Sequence, residues 1–127
     1  MKLFGSKPCQ FFGVGPVLPV PDIEVAVTFY CTQLGFTRDF VMGEPPNHGS
    51  VTQGRVGIQF TLAKAPFKAL DYPGWFYLFI EKIDLLAATY SKRGLVFTRP
   101  LETKAHGMRE FELLDNNGYR LRFGQYV

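Results

Sequence analysis

The chain has 127 residues, 46% of them apolar and 16% aromatic, the make-up of one folded domain and not of a disordered or membrane-spanning chain. Its net charge of +3 comes from 14 Lys and Arg against 11 Asp and Glu, and the cations alternate with apolar and acidic residues, which argues against the basic stripe of a nucleic-acid binder. Two cysteines, Cys9 and Cys31, make neither a disulfide framework nor a zinc spacing, and no run reaches the ~20 apolar residues of a membrane span or forms the unbroken core of a secretion signal. The expected setting is cytoplasmic, with neither nucleic acid nor membrane as a partner.

Residues 1–12 have no hydrophobic period, and Lys7-Pro8-Cys9 favours an extended arm, either frayed or reaching across to a partner subunit. A first unit over 13–63 begins with a proline-broken apolar run from Val17. Asp22 then suits a helix N-cap, since its carboxylate can accept the free amides of the first turn. Ile23, Val27, Tyr30 and Leu34 recur on one helical face until Gly35 stops it. Phe36 to Val41 alternates as a strand, and the breakers Gly43-Glu44-Pro45-Pro46-Asn47 predict a loop that includes His48. Ser50–Gln53, a turn at Gly54-Arg55, and Val56–Leu62 make a hairpin. In its last strand Ile58, Phe60 and Leu62 point one way and Gly57, Gln59 and Thr61 the other.

Residues 64–73 form a linker whose Phe67, Leu70 and Tyr72 are too apolar for free solvent, so it is expected to lie on the protein, for example as a flap over a cavity. A second unit over 74–125 follows the order of the first. It has a strand from Trp75 to Ile80, a helix from Ile83 to Lys92, a short strand near Leu95 to Thr98, a loop from Pro100 to His106, and a hairpin. Asp115-Asn116-Asn117-Gly118 supplies turn residues that tolerate positive φ, and a three-residue loop sets Phe111 opposite Phe123, Glu112 opposite Arg122 and Leu113 opposite Leu121. Ile23 matches Ile83, Glu24 matches Asp84, Tyr30 matches Tyr90, and Leu18 and Val20 match Leu78 and Ile80, the mark of an internal repeat. The predicted fold is α+β, a single domain of two βαβββ repeats. Each four-stranded sheet has a helix on one face and a free face on the other, and two such sheets can curl around a cleft.

With thirteen Phe, six Tyr and one Trp, the chain has more rings than a small core needs, so some are candidates for a ligand cavity. Trp75, Tyr77 and Phe79 alternate on the face turned to the cleft, either as a stacking platform or packed on one another, and Phe40 is a further lining candidate. Arg122 either anchors an anionic group bidentately or pairs with Glu112. Gln59 and Thr61 either orient a polar ligand group or hold buried waters. His106 and Glu110, four apart on an extended strand, share a face, and with His48 they form an alternative metal set for a lyase or dioxygenase.

The stretches PVLPVPDIEVAVTFYCTQLGFTRDF at 16–40 and GMREFELLDNNGYRLRF at 107–123, with Trp75 opening the fifth strand, resemble the vicinal oxygen chelate superfamily of glyoxalases, bleomycin-resistance proteins and ring-cleaving dioxygenases. The bleomycin-resistance proteins are the nearer likeness. The resemblance implies a glyoxalase/bleomycin-resistance-like fold and a homodimer, domain-swapped or paired, with a small-molecule cleft. In metal-dependent members one cavity-facing residue on each of four strands supplies His, Glu or Gln to a divalent ion. The matching positions here are Gly15, Gln59, Trp75 and Arg122, of which only Gln59 has a donor suited to a cation. What the resemblance then implies is a binding protein without metal or cofactor that sequesters a planar aromatic or apolar molecule, as bleomycin-resistance proteins do. The rival is a metal-dependent enzyme of the same superfamily with a relocated site.

Overall fold

Two βαβββ units follow one another along the chain, described over residues 8–64 and 72–127 in a computed structural model. In the first, β1 (Val17–Val20) leads into α1 (Ile23–Thr32), then β2 (Thr37–Met42), β3 (His48–Gln53) and β4 (Val56–Leu62). In the second, β5 (Phe76–Phe79) leads into α2 (Ile83–Lys92), then β6 (Phe97–Thr103), β7 (Met108–Leu114) and β8 (Arg120–Tyr126). Each unit forms its own sheet, in the order β1-β4-β3-β2 and β5-β8-β7-β6. The short strands β1 and β5 pair in parallel with β4 and β8, and the remaining pairs are antiparallel. An edge position is where Pro19 of β1 does no harm, because its missing N–H falls outside the ladder.

The caps differ between the copies. Asp22 accepts the Val25 amide at 3.0 Å, as its side chain predicts. At the start of α2 stands Lys82 at φ 55°, and the Ile83 amide is instead taken at 2.8 Å by the Gln125 side chain from β8. The second hairpin has the expected register, with Phe111, Glu112 and Leu113 opposite Phe123, Arg122 and Leu121. Its turn closes through the Asp115 amide on the Tyr119 carbonyl at 2.9 Å, with Gly118 at φ 97°.

Two expectations are corrected. The predicted loop from Pro100 to His106 is strand as far as Thr103. Pro100 marks an irregularity, since the pairing with β7 shifts on both sides of Arg99, and β6 is an edge strand that tolerates it. His48 is the first residue of β3, half-buried and paired with Thr61, not a loop residue. Of the arm and the linker, residues 1–7 and 65–71 lie outside the described residues, so the flap expectation does as well. No described helix is long and apolar enough to cross a membrane.

Each helix packs on one face of its sheet, and the helix-covered sides of both copies share one apolar core. Tyr30 of α1, fully buried, donates to Asp115 in the second hairpin at 2.7 Å. Tyr90 of α2 donates to the Leu34 carbonyl at 2.7 Å, and Arg93 to the Gln33 carbonyl at 2.8 Å. Gly49 lets α1 settle onto β3. A Cβ there would stand 2.9 Å from Ile23 Cγ2 and 3.2 Å from Val27 Cγ2. Gly49→Ala is therefore expected to lower stability by about 1–3 kcal/mol through overpacking. Urea unfolding reads this directly, and a loss under about 0.5 kcal/mol would mean that the helix lifts freely.

Candidate functional site

With α1 and α2 on one side of the two sheets, the other sides carry the candidate residues. On the second sheet Trp75, just ahead of β5, Tyr77 and Phe79 run down the edge strand, with Tyr77 beside Arg122 and Phe79 beside Gly124 of β8. Trp75 is 48% and Phe79 63% exposed, a large apolar area for a strand of an otherwise packed sheet. The ring row continues past the expected residues, since Phe79 lies 5.0 Å from Tyr77 and stacks at 5.9 Å on Tyr126.

Arg122 is held from two directions. Its guanidinium lies 4.1 Å from the Trp75 ring centroid, and Nη2 and Nε donate to Glu112 Oε2 at 2.7 and 3.1 Å. The second oxygen of Glu112 accepts from the Thr98 hydroxyl at 2.8 Å, and Arg99 Nε lies 3.8 Å from the first. Burial pushes the Glu112 carboxyl up, but the bonds from Arg122 and Thr98 and the nearby cations outweigh it and leave it below its ordinary value. The cross-strand pair is thus formed, and it engages the cation that was the candidate anchor for an anionic ligand group.

Lower on the same face Tyr77 donates to Glu110 Oε2 at 2.6 Å. Burial first, and then the Glu110 carboxylate, raise the Tyr77 phenol to about 12. The tyrosine reaches β7 by lying across β8 where Gly124 has no side chain; a Cβ there would be 2.0 Å from the Tyr77 hydroxyl oxygen. Sequence reasoning missed this pair, which needs the strand order β5-β8-β7; the available signal was a glycine in the strand between them. His106 is mostly exposed, with Nε2 3.9 Å from Glu110 Oε2.

On the first sheet His48 donates from Nε2 to Gln59 Oε1 at 2.7 Å in the corresponding tautomer. The Phe40 ring stacks on His48 with centroids 5.8 Å apart. Thr61 stands opposite His48, and Gln59 opposite the buried Ser50. Phe40, His48, Gln59 and Thr61 form one group and Trp75, Tyr77, Phe79 and Arg122 another. Among the described residues no hydrogen bond, ion pair or ring contact joins the two groups. The hollows around the second group, of about 350 Å³ at Trp75 and Arg122 and about 340 Å³ at Tyr77 and Phe79, are lined by second-copy residues.

The residues at the four positions that the sequence resemblance marks for a metal, Gly15, Gln59, Trp75 and Arg122, do not fit an ion. Glycine has no donor, the indole N–H donates only, and Arg122 is a permanent cation stacked on that indole. Gln59 Oε1 is engaged by His48. The alternative set is not assembled within one chain either, since His48 belongs to the first sheet and His106 and Glu110 to the second. Among the described residues no three His, Cys, Asp or Glu lie close enough to hold a metal.

A family model of the Glyoxalase/Bleomycin resistance protein/Dioxygenase superfamily matches residues 13–123. Among curated proteins no sequence match is found. Solved structures share the fold. A bleomycin-binding protein from the bleomycin producer Streptomyces verticillus, complexed with copper(II)-bleomycin, aligns with a TM-score of 0.75 at 21% identity over 91% of this chain and 97% of its own. A glyoxalase-related enzyme from Clostridium phytofermentans aligns at 0.76 with 21% identity, covering 96% of this chain and all of its own (100%). A superfamily member from Sphaerobacter thermophilus aligns at 0.72 with 24% identity over 91% and 98% of the two chains.

Proposed function

The chain belongs to the glyoxalase/bleomycin resistance protein/dioxygenase superfamily, and from that premise we propose that it is a metal-independent binding protein for a planar aromatic or apolar small molecule. The observation that carries this reading is the row of Trp75, Phe79 and Tyr126, rings left open to solvent around the half-buried Tyr77, on a sheet face where Arg122 is paired with Glu112 and Glu110 with Tyr77. Such a face offers stacking area with few polar anchors, the usual make-up of a small-molecule site. The likeness to a bleomycin-binding protein supports the same direction. Non-ligating residues at three of the four positions that the superfamily uses for a metal argue against the enzyme reading. Because the two candidate groups lie on different sheets, the proposal includes a homodimer, paired or domain-swapped, in which the open face of one copy's first sheet covers that of the other's second sheet. His48, Gln59 and Thr61 would then supply hydrogen bonds to a ligand stacked on the rings.

A thermal-shift screen of flat aromatic compounds finds the probe, because binding to the native state alone raises the melting temperature. In calorimetric titration of that compound, Trp75→Ala is expected to weaken binding at least tenfold, about 1.4 kcal/mol, with no change on adding EDTA. Unchanged affinity removes the stacking claim. Stoichiometric metal in the purified protein, whose removal abolishes binding, would favour the enzyme. Sedimentation as a monomer at binding concentrations would remove the shared site.

A further inference from the structure

The two repeats differ where each hairpin turn meets the other copy, and the difference leaves a groove. Gln59 stands to Val17 as Arg122 stands to Tyr77, so three residues earlier in each strand Val56 occupies the position of Tyr119. Tyr119, 2% exposed, donates its hydroxyl to the Pro19 carbonyl at 2.7 Å and so bridges the seam between its hairpin and β1, beside a smaller hollow of about 350 Å³. Val56 has no ring to do the same beside β5. Next to it lies a groove of about 580 Å³ lined by Phe36, Val56, Ile80, Leu86, Tyr90 and Phe123, among others. That is within the ~300–1,000 Å³ of small-molecule sites.

A polar partner is in place as well. By the repeat, Phe79 corresponds to Pro19, and it borders the groove. The Ile80 amide donates to the Gly124 carbonyl, so strand alternation turns the backbone groups of Phe79 off the free edge of β5, as it turns those of Pro19 off the edge of β1. We infer that this seam is a second small-molecule site, for a phenol whose ring takes the space that Tyr119 fills in the other half and whose hydroxyl donates to the Phe79 carbonyl. It shares only Phe79 with the open ring row and does not depend on the ligand proposed for that row.

The probe is 4-methylphenol, the tyrosine side chain itself, with 4-methylanisole as the analogue of like shape that cannot donate. In methyl-labelled protein, millimolar 4-methylphenol is expected to give saturable shifts at Val56, Ile80 and Leu86, with 4-methylanisole at least fivefold weaker. Val56→Tyr should fill the groove and abolish those shifts, whereas Trp75→Ala should leave them unchanged. If Val56→Tyr does not fold, Leu86→Gln, also in the lining, serves and should weaken binding at least fivefold. Absence of saturable shifts, shifts confined to the open faces, equal binding of the anisole, or binding that survives the groove variants would each overturn the assignment. Loss of the titration with Trp75→Ala would instead place the phenol at the open-face site.

Discussion

Replacing Asp115 by alanine is expected to cost about 3–5 kcal/mol, enough to leave many domains of this size partly unfolded. The carboxylate is 6% exposed and accepts from the Tyr30 hydroxyl at 2.7 Å, the Asn117 amide at 2.8 Å and the Tyr119 amide at 2.9 Å. Alanine would strand a buried phenol in the shared core and two turn amides, each left without its partner at about 1–3 kcal/mol. Tyr30→Phe should cost less, about 1–2 kcal/mol, because the carboxylate keeps its two amides. Burial holds the Asp115 carboxyl above its ordinary value against the bonds that lower it. Its contribution is therefore full below the ordinary carboxyl value and declines as pH rises through the raised one. Asp115→Asn should accordingly narrow its deficit as pH increases through that window. Denaturant titrations of the three variants check the order, and an alanine variant within about 1 kcal/mol of the parent would show that the turn does not fasten the two copies together.

Much of this architecture was legible because it depends on local pattern. Apolar spacing on α1 and α2, the Asp22 cap and the Asn-Gly turn each act over a few residues, and the repeat showed that one solution was used twice. The register of β7 and β8 was equally readable, since one slip would have turned Phe111 and Phe123 to the wrong face. Pro100 misled because a breaker on an edge strand only shifts the pairing, and edge status is a property of the whole sheet. His48 misled similarly: the loop ahead of it is real, but β3 begins one residue before Gly49 meets the helix. The candidate site was legible as residue types and not as an arrangement. That Trp75 and Arg122 stack was not visible in either residue alone, and Tyr77 reaches Glu110 only over a glycine on a third strand.

Arg122→Met is expected to cost about 3 kcal/mol, and the paired change Glu112→Gln with Arg122→Met markedly less. The two side chains are 12% and 4% exposed, so their bond is formed away from water. Removing the guanidinium leaves a buried carboxylate with the Thr98 hydroxyl and a looser Arg99 contact at 3.8 Å, which keeps the loss at the lower end of the usual range for a broken buried pair. Removing both charges takes away the attraction and the cost of burying the ions together, and methionine keeps most of the arginine's apolar bulk. The pH dependence separates this from simple loss of packing. In the parent, Glu112 lies below its ordinary value, so its contribution is present above that value and is lost as pH falls through the lowered one. Without Arg122 the main lowering cause is gone and burial raises the carboxyl, so the variant should gain stability relative to the parent as pH falls from about 7 to about 4. A deficit that stays constant over that range, or a double variant worse than the single one, would mean that Arg122 acts mainly by packing under Trp75. The same variants bear on ligand binding. If the pair serves to hold Trp75 flat, Arg122→Met should weaken an aromatic ligand about as much as Trp75→Ala does, whereas Glu112→Gln, which leaves the guanidinium under the indole, should weaken it less.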